Sequence, residues 1–138
     1  MGVRVIDAVE LPIRYETDIA DVRRRARALA QGRGFDSFAT AALTTAASEI
    51  ARNVWVHGGG GTALLEDLAD GHRAGVRLTF VDAGPGIANL DRVLAGGFST
   101  VRSLGLGVSG TRRLVDEFAI ETAPGRGTKV VITKWTRF

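Results

Sequence analysis

The stretch Val76-Arg77-Leu78-Thr79-Phe80-Val81-Asp82-Ala83-Gly84-Pro85-Gly86-Ile87 decides how the rest of the chain is read. Val76, Leu78 and Phe80 alternate with Arg77, Thr79 and Val81, the period of a strand that keeps one face in a core. The same phase carries Asp82 to the core face at the strand's end. A carboxylate there is costly to bury unless something polar meets it, and it can accept from an exocyclic amine such as that of adenine. Gly84 and Gly86 follow at once and let the backbone come close to a flat ligand. Asp and Gly also end ordinary strands, so on these residues alone both readings stand.

Upstream, residues 62–69 form a second strand, joined to the first by the turn-prone Asp70-Gly71-His72. Before it, Asp36 or Ser37 caps a long helix that runs through His57 and is ended by Gly58-Gly59-Gly60-Gly61. Asp18 caps an earlier helix through Val22, Ala26 and Leu29, which stops around Gly32 and Gly34. The chain opens on a strand marked by Val3 and Val5 and, after a shift of phase, by Val9, Leu11 and Ile13. Downstream, a glycine-rich region reaches about Gly110, with a short helix around residues 90–94. A third substantial helix is expected over residues 108–117. Strands over 118–123 and 128–135 close the chain, joined by Pro124-Gly125-Arg126-Gly127. This order has few helical crossovers and two hairpin-like pairs. It implies an α+β fold, a two-layer sandwich with a mixed, mostly antiparallel sheet and about three helices on one face. No repeat, linker or shift of composition divides residues 1–138, which read as a single domain.

Composition excludes several classes. Hydrophobic residues make up 45% and charged residues 24%, the balance of a globular protein. No apolar run approaches the ~20 residues of a membrane span, and the first residues lack the apolar core of a signal peptide. There are no cysteines, which rules out disulfides and thiolate metal sites and fits a cytoplasmic protein. The net charge is only +3, but Arg23, Arg24, Arg25 and Arg27 crowd one segment. Their neighbours are Ala26, Ala28 and Ala30, not the interleaved aromatics of a nucleic-acid binder. Neither nucleic acid nor membrane is expected as a partner. The arginines read as a solvated helix face or as a docking surface for an acidic protein.

Three further groups of residues carry candidate chemistry. On the long helix, Phe38, Ala42, Thr45, Ala46, Glu49, Ile50, Asn53 and His57 recur at three- and four-residue steps, one stripe expected to face the sheet. Glu49 and Asn53 are then stacked one turn apart. Either they sit at the stripe's edge and reach water, or they line a cavity for a polar ligand. In the second case an Asn53 oxygen suits Mg²⁺ and Glu49 suits a general base. Next, Gly96-Gly97-Phe98-Ser99-Thr100 and Gly105-Leu106-Gly107-Val108-Ser109-Gly110 precede a helix, whose free N–H groups favour an anion. No Gly-Lys-Ser/Thr follows, so this is not a Walker A loop, and no βαβ unit surrounds it as a Rossmann turn requires. Last, Gly125-Arg126-Gly127-Thr128 leads into the final strand.

Glu49-Ile50-Ala51-Arg52-Asn53, Asp82-x-Gly84-x-Gly86, Gly105-x-Gly107 and Gly125-x-Gly127-Thr128, in this order, resemble the GHKL ATPase and kinase superfamily over essentially the whole chain. The wording narrows further. Ser48 to Asn53 with His57-Gly58-Gly59-Gly60, Gly97-Phe98-Ser99-Thr100, Leu104 to Phe118 and Gly127 to Trp135 are similar to the small serine/threonine switch kinases of the RsbT type. Val108 is one small departure, since leucine is commoner there. The resemblance implies a Bergerat ATP-binding fold and an ATP- and Mg²⁺-dependent protein serine/threonine kinase. It implies Glu49 as catalytic base, Asn53 as Mg²⁺ ligand, Asp82 as adenine partner and Thr128 as its support through a hydroxyl or water. ATP or ADP would lie among Asn53, His57, Asp82, Gly84, Gly86, Ile87, Ser99, Thr100, residues 105–110 and Thr128, with 96–110 as a lid. The implied substrate is a STAS-domain antagonist protein in bacterial partner switching, and a PP2C-type phosphatase is an implied second partner. The alternative is a non-catalytic nucleotide-dependent switch, an anti-sigma factor or phosphatase activator. Branches of the superfamily that hydrolyse ATP with a second domain find no room for it here. Neither His57, at a helix end, nor His72, in a turn, is placed as a histidine-kinase phosphoacceptor.

Overall fold

In the computed structural model, residues 2–86 and 110–136 are described. Five strands, β1 (Arg4–Ile13), β2 (Gly61–Asp70), β3 (Arg73–Asp82), β4 (Glu117–Thr122) and β5 (Thr128–Trp135), form one sheet in the order β1-β2-β3-β5-β4. Every pairing is antiparallel, where a mostly antiparallel sheet was expected. Helices α1 (Glu16–Gly32) and α2 (Ser37–Val56) cover one face. The two-layer α+β sandwich read from the sequence is what forms.

The local signals operate with small corrections. Between β1 and β2 the register slips at Val5/Asp7, the phase shift visible in the sequence and now seen as a bulge. Asp18 does not stand ahead of α1, as its reading as the cap required. It occupies the first turn, and its carboxylate reaches back to accept from the N–H groups of Arg14 and Tyr15 at 2.8 and 3.0 Å. Those two bonds, the first to Arg14, hold its pKa below the ordinary aspartate value. Asp36 caps α2, accepting from Ala39 N–H at 2.7 Å. The third helix ends earlier than residue 117: residues 110–114 are helical and Glu117 already begins β4, held in register by Phe118 and Ile120 beside Ile132 and Val130. The expected helix at 90–94 lies outside the described residues.

The core forms where Val76, Leu78 and Phe80 of β3, Leu65 of β2 and Ile132 of β5 meet Leu43, Ile50 and Val54 of α2 and Val22 of α1. Fully buried alanines (Ala26, Ala30, Ala46, Ala47, Ala51) let the two helices and the sheet approach closely. Phe38 and Thr45 depart from the expected stripe. Phe38 is 85% exposed, because the buried arc of α2 centres on Leu43, Ala47, Ile50 and Val54, well round the helix from it. On the uncovered face, Trp135 lies across Gly75, so closely that a Cβ there would come within 2.6 Å of its ring. Arg73 stacks on the same indole at 4.3 Å.

Leu78 is fully buried in the central strand, whereas Val81 on the same strand is exposed. Leu78→Ala is expected to lower stability by about 2–5 kcal/mol, and Val81→Thr by less than about 0.5 kcal/mol. Urea unfolding of the two variants checks this, and equal losses would contradict the assigned faces of β3.

Candidate functional site

One row of residues crosses the whole sheet at one end: Ile13, Gly61, Asp82, Thr128 and Thr122 are register partners in turn. The C-terminus of α2 arrives at this row. His57 N–H and Gly58 N–H both donate to Asn53 C=O, at 2.9 and 3.1 Å, and Gly59 and Gly60 turn the chain with φ of 73° and 106°. Only glycine adopts that pair of conformations readily. The helix end therefore delivers Asn53 and Gly58 to the same place as Asp82.

Asp82 is partly buried, facing inward as the alternation required. Its Oδ1 accepts from Gly84 N–H at 2.9 Å. Burial pushes its pKa above the ordinary aspartate value, opposed by the N–H groups of Gly84 and Thr128. Thr128 thus supports Asp82, but through its backbone rather than its hydroxyl. That hydroxyl is instead 2.9 Å from the hydroxyl of Thr122, which also donates to Gly127 C=O at 3.0 Å.

The glycines around Asp82 are packing requirements. A Cβ on Gly58 would lie 2.4 Å from Asp82 Cγ. One on Gly84 would lie 2.7 Å from Gly58 Cα, one on Gly86 2.1 Å from Ala123 C=O, and one on Gly127 2.2 Å from Asp82 C=O. Gly84 and Gly86 were read as making room for a flat ligand; in the structure their lack of a side chain brings three backbone segments together. In the sequence Gly58 marks a helix end and belongs to the His57-Gly58-Gly59-Gly60 resemblance, but nothing there announces its contact with Asp82. Thr122 was not singled out, and it meets Thr128 through strand pairing that no local pattern announces.

Asn53 is 8% exposed and its Nδ2 is buried with no hydrogen-bond partner among the described residues, as is Nε2 of His57. A buried amide left unpaired costs about 1–3 kcal/mol, so this end of α2 is built for something polar that the described protein groups do not supply. Glu49 stands two turns before His57 on the same side and is half-buried. Asn53 and Glu49 therefore sit on the shoulder of the buried arc, between core and solvent. A cavity of about 320 Å³ opens at the sheet end, lined by Val81, Asp82, Glu121, Thr122, Ala123, Arg126, Gly127, Thr128 and Lys129 and by no residue of α2. Among the described residues no group of three or more His, Asp or Glu side chains could hold a metal by itself. Ile87, Ser99, Thr100, Gly105, Leu106, Gly107, Val108 and Ser109, and most of the lid, lie outside the described residues; Gly110 is exposed at the start of the last helical turn. No described helix is long and apolar enough to cross a membrane.

Residues 11–134 match the family described as Histidine kinase-like ATPase domain. The chain is 39% identical over 125 residues to the serine/threonine-protein kinase RsbT of Bacillus subtilis, covering 91% of this chain and 94% of that protein. It is 28% identical over 99 residues to an anti-sigma F factor of a Thermoanaerobacter species, covering 67% of this chain and 68% of the factor. Among solved structures it resembles a chain of the SiaB–SiaC complex from Pseudomonas aeruginosa, with a TM-score of 0.57 and 13% identity over 96% of this chain and 91% of that one. That likeness is one of fold alone.

Two outcomes follow from the packing. Gly58→Ala is expected to destabilise the protein by about 1–3 kcal/mol, the usual cost of overpacking, and a variant of wild-type urea midpoint would refute the Gly58–Asp82 contact. Asp82 binds its proton more tightly folded than unfolded, so its contribution to stability is full below the ordinary carboxylate range and is lost as pH rises through the raised value. Asp82→Asn carries no such charge, so its melting temperature relative to wild type should climb as pH rises above the ordinary aspartate value of about 3.9. A difference that stays constant with pH would show that burial does not perturb Asp82.

Proposed function

The chain belongs to the histidine kinase-like ATPase domain family, and on that premise we propose that it is an ATP-dependent protein serine/threonine kinase in a bacterial partner-switching pathway. The single observation that carries this reading is the buried amide of Asn53, unpartnered among the described residues, one turn from a half-buried Glu49 and beside the inward carboxylate of Asp82. A domain that only packs has no reason to leave that amide unsatisfied.

ATP would lie across the sheet end with its base toward Asp82. The carboxylate accepts from the exocyclic amine, and a nucleobase without an amine there leaves a buried acceptor unpaired, which is the basis of selection for adenine. Asn53 fits Mg²⁺ because, among the described residues, no protein group holds its amide nitrogen, and its oxygen can turn toward a hard cation. The cation, when bound, neutralises charge on the phosphates. Glu49 receives the proton of the acceptor hydroxyl as that oxygen bonds to the γ-phosphorus and the bond to ADP breaks. The acceptor is supplied by a partner, for which the relatives suggest a STAS-domain protein; a PP2C-type phosphatase is the second partner of this reading. Residues 1–138 act as one kinase domain, in the cytoplasm. The likeness to anti-sigma F factor favours one other reading, a switch in which nucleotide sets affinity for the partner without transfer.

Glu49→Gln is expected to slow phosphate transfer to a STAS-domain protein by about 10²–10⁴-fold while ATP affinity hardly changes. Asn53→Ala should weaken Mg-ATP binding as well as transfer. Transfer with labelled ATP, beside calorimetric affinity, tests both. Equal rates for wild type and Glu49→Gln would remove the base, and no transfer by wild type would leave the switch.

A further inference from the structure

α2 has two flanks. One carries Asn53 and Glu49 toward the nucleotide site, and the other packs on α1 through Thr40, Thr44 and Ala51. The outward ridge between them holds Phe38, Thr45 and Arg52, all exposed. Phe38 contributes nothing to the core, yet it presents a full aromatic ring to solvent with only 15% of its surface covered (85% exposed). Beside it, α1 and α2 leave a groove of about 330 Å³, walled by Arg27 and Gln31 on α1 and by Ser37, Ala41 and Thr44 on α2. Two of the groove's hydroxyls are held by backbone: Thr40 donates to Phe35 C=O at 3.5 Å and Thr44 to Thr40 C=O at 2.6 Å.

The charge along the groove is one-sided. Arg23, Arg24, Arg25 and Arg27 are all exposed, and only Arg24 is neutralised, by Asp21. Arg23, Arg25 and Arg27 have no ion pair among the described residues. Arg25 lies on the sheet side of α1, in a hollow it shares with Asp7 and Asp67, but Arg23 and Arg27, one turn apart on the helix, are like charges left unpaired, which serves no purpose in the isolated fold. An exposed aromatic on one helix and exposed arginines on the next are residue types enriched in protein interface hot spots.

We infer that the α1–α2 groove, with Arg23, Arg27 and Phe38, docks an acidic surface of the protein that this kinase acts on. The inference rests on the proposed kinase reading and adds where the partner sits. Glu49 stands on the flank that adjoins this ridge, eleven residues or roughly 16 Å along the axis from Phe38. A partner seated on the groove and reaching across the ridge can therefore bring its acceptor hydroxyl to Glu49, on the flank that faces the nucleotide. Long-range attraction between the arginines and an acidic partner raises the encounter rate, and the apolar contact of Phe38 slows departure. A nucleic acid is a poorer occupant, since one aromatic at one end gives no stacking ladder.

The test uses Phe38→Ala and the double charge reversal Arg23→Glu/Arg27→Glu in the full chain. Affinity of the ADP-bound proteins for a STAS-domain protein is measured by calorimetry, with transfer kinetics and ADP affinity alongside. All three positions are exposed, so melting temperature and ADP affinity should hold. Partner affinity should fall at least tenfold in each variant, KM for the partner should rise with kcat unchanged, and the salt dependence of binding should flatten in the reversal. Undiminished partner binding by both variants overturns the groove, whether or not phosphate is transferred. Partner binding that depends on these residues, without transfer by wild type, sinks the kinase reading and leaves the groove standing. If wild type binds neither the STAS-domain protein nor poly-glutamate, the acidic occupant is wrong. Self-association lost in the variants would replace it with a second copy of the chain.

Discussion

The contact between Gly58 Cα and the Asp82 carboxyl is the constraint on which the rest of the structure depends. It is closer than any side chain would allow, since even a methyl group on residue 58 would sit 2.4 Å from Asp82 Cγ. It fixes where the longest helix ends relative to the end of the central strand. Asn53 accepts from Gly58 N–H through its carbonyl, so pinning Gly58 also pins Asn53. Gly84 closes on Gly58 from the other side and Gly127 on Asp82 C=O. Helix end, strand end and β4–β5 turn are thus tied together by missing side chains rather than by interlocking ones.

Such a knot is costly in the unfolded chain, where glycine has the most freedom to lose. It also buries the Asp82 carboxylate in part, against the preference of the charged form for water. Neither cost is incurred to improve the core, which is complete with the aliphatic residues of β2, β3, β5 and the two helices. Unfavourable features grouped at one end of a well-packed sheet are what a binding site looks like before its ligand arrives. Nδ2 of Asn53, without a partner among the described residues, belongs to the same group.

α2 couples this site to the outside of the molecule. Its buried arc is lined by alanines, which permit close packing to the sheet and to α1. Its shoulder carries Asn53 and Glu49, and its ridge carries Phe38. A rigid helix shared by the proposed nucleotide site and the proposed docking surface would transmit position without any moving part. That arrangement suits an enzyme whose second substrate is a folded protein.

Much of this was legible in the sequence because the relevant signals are local. Alternation along 76–82 set the strand and turned Asp82 inward; Asp36, the glycine run at 58–61 and the turn at Gly71 set the boundaries of α2, β2 and β3. The order of polar residues and glycines carried the family. Other features needed the tertiary structure, for physical reasons. Helical periodicity gives an angle but not the direction of the core, so Phe38 was counted with the buried stripe although it lies well outside the arc that packs. A glycine looks the same whether it admits a ligand or another backbone, and only the fold showed Gly84 against Gly58 and Gly86 against Ala123. The support of Asp82 by the backbone of Thr128, and of Thr128 by Thr122, depends on strand register between segments far apart in the chain. Local chemistry determined which residues are unusual; the packing of distant segments decided which of them meet.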